Sequence, residues 1–118
     1  MLTSAEITRL LDIAAAGINK GEVAAARTIC RGILAGRPEH APALITLALS
    51  HIAVGEYESA DTILKDQVLD ANPDDADALV YLGLSAKLAG RADEAEEIFG
   101  RIPDGTPAGE LAAKLLEA

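Results

Sequence analysis

An internal repeat of about 34 residues is the feature that most constrains the fold of this chain. Each copy holds a glycine, an alanine five residues after it, a small residue seven before it and a large aliphatic residue eight before it. A leucine lies three residues further back, and a proline follows the glycine by 17 or 18 residues. The matching sets are Gly21, Gly55 and Gly90; Ala26, Ala60 and Ala95; Ala14, Ala48 and Gly83; Ile13, Leu47 and Leu82; Leu10, Leu44 and Leu79; and Pro38, Pro73 and Pro107. Such a repeat predicts stacked helical units.

Each copy places its glycine between two stretches with an apolar period of three to four, which predicts a pair of helices per copy. The glycine can close the first helix in the left-handed conformation, and the proline ends the second. Only 3% of the residues are aromatic, and long runs of strand-forming residues are missing, which also favours an all-α fold. We expect helices at about 4–19, 22–36, 41–54, 57–71, 75–89, 92–101 and 107–117. The glycine spacings of 34 and 35 residues place an extra residue in or after the second helix of the middle pair.

This pattern resembles the tetratricopeptide repeat (TPR) over about residues 7–109. The resemblance implies an all-α, right-handed superhelical solenoid with three TPR-like helix pairs in one domain, 1–118. Its repeats would span about 7–40, 41–75 and 76–109, followed by a capping helix at about 107–117. The aromatics common in the family are mostly replaced, since only Tyr57 and Phe99 remain and the matching places hold Val23, Ala92, Cys30 and Leu64.

The first helix of the middle pair carries too many apolar residues for one stripe. One stripe, of Leu44, Leu47, Ala48 and His51, faces the partner helix; Ile45, Leu49 and Ile52 form a second, rotated by roughly 100°. In the family that the chain resembles, first helices line a concave groove, and the second stripe occupies groove positions. Adding the repeat predicts a partner-binding groove of Leu11, Ala15, Ile18, Ile45, Leu49, Ile52, Val80, Leu84 and Lys87, with Leu88 beside them.

Three explanations of this apolar surface stay open. The residues could pack on one another or on the last helix, hold an amphipathic helix or hydrophobic peptide of a partner, or pair with a second copy as a homo-oligomer. The clamp by which some TPR proteins hold acidic tails is not expected, because its cationic and amide positions hold Leu11, Ala15, Ile45, Leu49, Val80 and Leu84.

The remaining residues argue against catalysis and against several partners. The formal charge of −9 disfavours nucleic acid and membrane surfaces as partners. A single cysteine, Cys30, excludes an internal disulfide and fits a cytoplasmic protein; we see no signal peptide or membrane span. Cys30 and His51 fall at packing positions and His40 in a loop, and the acidic segment 70–77 lacks the pattern of a calcium loop. We expect no enzyme activity, no metal and no cofactor.

One more specific resemblance concerns small TPR chaperones of type III secretion needle subunits, which are acidic, three-repeat bacterial proteins of about this length. The segments LLDIAAAG (10–17), AAARTI (24–29) and ALITLALSHIAVGEYESA (43–60) look like their first two repeats. The resemblance implies a needle subunit and a small co-chaperone as partners, with the groove sheltering the subunit's C-terminal helix. The alternatives are a general TPR adaptor in another bacterial complex and a self-assembling TPR subunit.

Overall fold

A computed structural model describes residues 1–117, which form seven helices joined by short turns. The predicted all-α fold is confirmed. Every predicted helix is present with ends within two residues of those expected, where the fourth helix is counted through the π-helix that ends at Leu69. The helices are α1 (Ser4–Asn19), α2 (Val23–Gly36), α3 (Ala41–Ala53), α4 (Tyr57–Thr62), α5 (Ala76–Leu88), α6 (Ala92–Gly100) and α7 (Pro107–Glu117). A π-helix, Ile63–Leu69, continues α4 without a break, and we call it the π segment.

The turn inside each pair depends on the repeated glycine. Gly21, Gly55 and Gly90 have φ values of 84°, 78° and 85°, in the left-handed region where a side chain would be strained. The amide of each donates to a carbonyl in the last turn of the first helix. The glycines therefore reverse the chain after α1, α3 and α5, as the repeat predicts.

Two of the first helices, α1 and α5, begin with a side-chain cap. At α1, Thr3 Oγ1 accepts from the Glu6 amide at 3.1 Å, and the Glu6 carboxylate accepts from the Thr3 amide at 2.8 Å. The backbone and side-chain hydrogen bonds from Thr3 lower the pKa of Glu6. At α5, the Asp75 carboxylate accepts from the Ala78 amide at 3.1 Å. Both first helices thus begin at defined residues, which fixes the register of their side chains.

Within each pair, a small buried residue of the first helix matches a larger buried residue of the second at equivalent repeat positions. Gly83 in α5 lies against the ring of Phe99 in α6, and a Cβ atom on Gly83 would lie 2.6 Å from Phe99 Cδ1. In the other pairs the equivalent positions combine Ala14 with Cys30 and Ala48 with Leu64, all of them buried. The third pair alone uses a phenylalanine here, and it alone has a glycine opposite, which fits close packing at fixed helix separation.

Gly83→Ala and Gly32→Ala are expected to change stability in opposite directions. Both replace a glycine inside a helix, which by itself gains up to about 1 kcal/mol. Gly32 is exposed, with open space around its Cβ position, so we expect its variant to gain about 0.5–1 kcal/mol. Gly83→Ala must displace Phe99, and overpacking of this kind costs about 1–3 kcal/mol. Urea unfolding of both variants measures the difference, and a stabilised Gly83→Ala protein would contradict the close contact.

The core consists of two clusters that meet at α3. Cys30 and its neighbours fill the space within the first pair, while the larger cluster joins the second and third pairs to α7. Leu34 of α2 and Leu47 of α3 are half-buried against both clusters. The apolar interior is therefore continuous along the stack, as expected when each unit buries a face of its neighbour.

The π segment absorbs the extra residue of the middle repeat. Its buried residues, Ile63, Leu64, Val68 and Leu69, are spaced by five where an α-helix would use four. The Asp70 amide donates to the Lys65 carbonyl at 3.0 Å, the five-residue hydrogen bond of a π turn. The wider turn keeps both ends of the helix facing the core in spite of the added residue. The extra residue that the sequence predicted in or after this helix therefore lies within 63–69.

Deletion of Gln67 is expected to convert the π segment into a regular α-helix. Gln67 is exposed, and its removal returns the buried residues to a spacing of four and the glycines to a period of 34. We expect the free energy of unfolding in urea to stay unchanged or to rise. Deletion of the exposed Thr28 from α2 is the matched control, because it rotates Cys30 and Ile33 by about 100° and should cost about 3 kcal/mol or more. Equal destabilisation by both deletions would argue against a π-helix that accommodates an insertion.

An ion pair links each helix pair to the next one. We call these two contacts the first and second joints, and the acid and the base exchange positions between them. At the first joint, Arg27 of α2 donates to the Glu56 carboxylate, which precedes α4, at 2.6 Å. At the second, Arg91 before α6 donates to the Asp61 carboxylate of α4 at 2.7 Å. These are the same two repeat positions with acid and base exchanged. Because Asp61 is buried, removing Arg91 would leave an uncompensated charge in the protein. The Arg91–Asp61 ion pair therefore fixes how the second and third helix pairs stack.

The last helix takes the place that the first helix of a fourth pair would occupy. It packs against α5 and α6, with Ala112 buried and Ala108 and Leu115 half-buried in the larger cluster. The ammonium group of Lys87 in α5 donates to the Leu115 carbonyl. Through these contacts α7 covers one flank of α5.

Candidate protein-binding face

The first helices of the three pairs pack side by side, with α1 against α3 and α3 against α5. Helix α3 also contacts α2, α4 and the π segment, so most of its circumference is covered. One narrow sector of α3 remains open to solvent. It holds Pro42 and Ala53, which are exposed, and Thr46 and Leu49, which are half-buried.

The same sector is open on the two neighbouring first helices. Because the repeat shifts each residue by 34 or 35 positions, the equivalent residues can be read directly from the sequence, and each is exposed or half-buried. We call these twelve residues the open face: Thr8, Asp12, Ala15 and Asn19 of α1; Pro42, Thr46, Leu49 and Ala53 of α3; and Asp77, Tyr81, Leu84 and Leu88 of α5.

The predicted groove agrees with the open face only in part. Four of its ten residues belong to the face: Ala15, Leu49 and Leu84, which are half-buried, and Leu88, which is 53% exposed. Lys87 is half-buried and donates to α7. The other five lie in the core of the free chain: Leu11, Ile18, Ile45, Ile52 and Val80.

The cause of this difference is the lateral contact between first helices. Ile52, for example, is only 4% exposed and Val80 only 2%, and both belong to the core cluster that includes residues of α3, α5 and α7. The solvent-facing sector is rotated by roughly 60° from the predicted stripe, at 100° per residue. The five buried residues are thus placed as packing residues between units, and they cannot contact a partner unless the stack opens.

Eight residues of the open face lie outside the predicted groove, because that prediction followed apolar side chains. They are Thr8, Asp12, Asn19, Pro42, Thr46, Ala53, Asp77 and Tyr81. A detectable signal was present in the helical wheel: the side of the second stripe that faces away from the first carries polar or small residues, Thr8, Asp12 and Asn19 on α1 and Pro42, Thr46 and Ala53 on α3. In a half-buried helix such a sector marks the side that faces water.

The open face divides into a polar half and an apolar half along the helix direction. The polar half, on the side of the face nearer the helix N-termini, holds Asp12, Thr46, Asp77 and Tyr81, together with Thr8 and Pro42. The later turns contribute Ala15, Leu49, Ala53, Leu84 and Leu88, with Asn19 as the polar exception. Burial of the ring and, second to it, the charge of Asp77 raise the pKa of Tyr81, so its phenol stays neutral beside that carboxylate at neutral pH.

The residues that could carry chemistry do not converge on this face. Cys30 is fully buried, and His51 lies 2.8 Å from the Glu56 carboxylate through its Nδ1 atom, at the joint between pairs. Hydrogen bonds from His51 and then from Arg27 lower the pKa of Glu56. His40 precedes α3. Within residues 1–117, no group of three or more His, Cys, Asp or Glu side chains is arranged to hold a metal ion.

Cys30 is expected to be inert in the folded protein. Burial, only partly opposed by the nearby Arg31, raises the pKa of the Cys30 thiol from 9.0 to about 11, and the thiolate is the reactive form. A thiol reagent at pH 8 should therefore label the native protein far more slowly than the urea-unfolded protein. Because the raised pKa favours the folded state only while the thiol stays protonated, Cys30 should also contribute a fall in stability from about pH 9 to pH 11, which a Cys30→Ala variant lacks. Rapid native labelling would contradict the burial.

Helix pairs stacked in register, with one face of the first helices left open, define a helical-repeat solenoid of the kind that binds other proteins. The tetratricopeptide repeat family matches residues 45–110, which is more than half of the chain. The protein therefore belongs to the tetratricopeptide repeat family, a class of protein-interaction modules.

A comparison of folds gives the same architecture. The structure resembles that of a MamA mutant with a TM-score of 0.62 and 23% sequence identity, over 98% of this chain and 67% of the MamA chain. At this identity the likeness concerns the fold alone. No curated protein matches the sequence. Among the described helices, none has the length and apolarity needed to cross a membrane.

Proposed function

We propose that this protein is a non-catalytic binding module whose open face holds an amphipathic helix of a partner protein. The observation that carries the proposal is the apolar half of the face, where Leu49, Leu84 and Leu88 remain accessible in the free chain. Leu88 is among the most exposed large apolar side chains of the described residues outside the termini. Neighbouring apolar side chains of this kind on adjacent helices mark surfaces that another protein covers.

The dimensions of the open face suit a helix. Packed helices are about 8–10 Å apart, so the face spans roughly 20 Å from α1 to α5. A partner helix that crosses all three first helices needs about four turns at 5.4 Å per turn. Its apolar residues would lie along the later turns of α3 and α5, which is the helix-in-groove mode of recognition.

The needle-subunit chaperone remains a finer form of this proposal. An amphipathic C-terminal helix of a secretion needle subunit has the chemistry that the face would accept. The comparisons support the repeat family and its general role in protein binding, and neither of them favours a needle subunit over another helical partner. An adaptor in a different complex would use the same surface.

Leu88→Gln is the variant that tests the binding face, with Ile13→Gln as its matched control. Ile13 is 54% exposed but lies on another side of α1, outside the open face, and both changes leave the formal charge at −9. We expect Leu88→Gln to weaken partner binding about tenfold, because it places an amide where an apolar contact forms. Ile13→Gln should bind as the unaltered protein does, and both variants should keep full helicity by circular dichroism.

The measurement is a parallel capture from the native host with all three proteins, followed by titration of the recovered partner by calorimetry. A partner retained equally by Leu88→Gln would contradict the proposal. Sedimentation of the protein alone distinguishes self-assembly from binding of another protein. If the protein is a dimer and Leu88→Gln makes it a monomer, a second copy occupies the face. Ile45→Gln, at a predicted groove residue that is buried, should instead lower the free energy of unfolding by about 2–5 kcal/mol.

A further inference from the structure

We infer that the helix held by the open face carries lysine or arginine residues along one edge, and that Asp12, Asp77 and Tyr81 receive them. This inference rests on the proposed function and specifies the chemistry of the partner. It follows from the division of the face into halves: the partner's apolar stripe meets the apolar half, and its adjacent edge therefore meets the polar half.

The charges of the polar half are of one sign. Of the twelve residues of the open face, two are acidic and none is basic. Within residues 1–117 neither Asp12 nor Asp77 takes part in an ion pair. Arg9 precedes Asp12 by three residues but is not ion-paired with it in the described residues, and Lys87 donates to the Leu115 carbonyl in the contact with α7. The carboxylates of the face are thus available to a cation from outside.

Asp77 and Tyr81 make the end of the face at α5 especially suited to a cation. They are four residues apart on α5, so their side chains lie on neighbouring turns of one helix surface, and Asp77 acts on the phenol strongly enough to contribute to its raised pKa. A carboxylate beside a half-buried aromatic ring can hold a lysine or arginine by an ion pair and by contact with the ring face. Leu84 and Leu88 continue the same surface into the apolar half.

The geometry also orients the partner. Asp12 on α1 and Asp77 on α5 lie at opposite ends of the face, roughly 20 Å apart across three packed helices. Asp12 lies about one turn further along its helix than Asp77 does. Two cations roughly 13 residues apart on a partner helix would span this distance at 1.5 Å per residue, with Thr46 of α3 between them.

Two synthetic peptides test the inference. Each is an amphipathic helix of about five turns with the same leucine and alanine stripe; one carries lysines along the adjacent edge, and its twin carries glutamates. We expect the lysine peptide to bind at least tenfold more tightly in 50 mM salt, with a smaller preference at 500 mM because exposed ion pairs are screened. Fluorescence anisotropy with labelled peptides measures both affinities.

A pair of double variants separates the local site from the overall acidity of the chain. Asp12→Asn with Asp77→Asn removes two charges from the face, and Asp93→Asn with Glu96→Gln removes two exposed charges from α6. Asp77 and Asp93 both lie in the first turn of their helices. Replacing either one therefore removes a similar favourable interaction with the helix dipole. The first variant should weaken the lysine peptide about five- to tenfold, as expected for two surface ion pairs, and the second less than twofold.

Each outcome has a defined meaning. Equal losses in both double variants would show attraction by net charge only and would overturn the inference. Equal binding of the two peptides, with binding weakened by Leu88→Gln, would overturn the basic edge while leaving the binding module intact. If neither peptide binds, or if Leu88→Gln has no effect on a peptide that does bind, the inference and the proposed function both fail.

Discussion

The lateral contact between first helices of neighbouring pairs determines which residues of this protein meet solvent. Each first helix has a partner within its own pair, and this contact adds a second neighbour on its flank. Ile45 and Ile52 of α3 are buried as a result, while Leu49, about one turn from each of them, stays half-buried. The open face is thus the sector that remains after two kinds of packing are satisfied, and its mixed polarity follows from that origin.

That lateral contact depends on the register of every pair, and two local devices maintain it. Gly83 and Phe99 show one: where the second helix carries a larger side chain, the first carries a smaller one, so the helices keep close contact. The π segment is the other, because its wider turn absorbs an added residue that would otherwise rotate Val68 and Leu69 away from the core. Both devices let the sequence vary while the stack keeps one geometry.

Much of the fold could be predicted from the sequence, because glycine, proline and apolar period act locally. Gly21, Gly55 and Gly90 alone locate three turns, and the helix ends follow within two residues. The π-helix could be placed only as an extra residue, since the choice between a bulge and a longer loop depends on packing against α3 and α5. The open face was half-predicted for a similar reason: periodicity shows that Ile52 and Leu49 are both apolar, but only the neighbouring helix decides which of them is covered.

The central claim, that the open sector of the first helices lies at Ala53 and not at Ile52, can be tested without a partner. Cys30 is buried and unreactive, so a second cysteine introduced by Ala53→Cys or Ile52→Cys can be followed by its rate of labelling at pH 8 under native conditions. Our account predicts that the thiol of Ala53→Cys reacts nearly as fast as it does in urea, while that of Ile52→Cys reacts at least a hundredfold more slowly, in keeping with an opening cost of about 3 kcal/mol. Fast labelling at both positions, or faster labelling of Ile52→Cys, would contradict it.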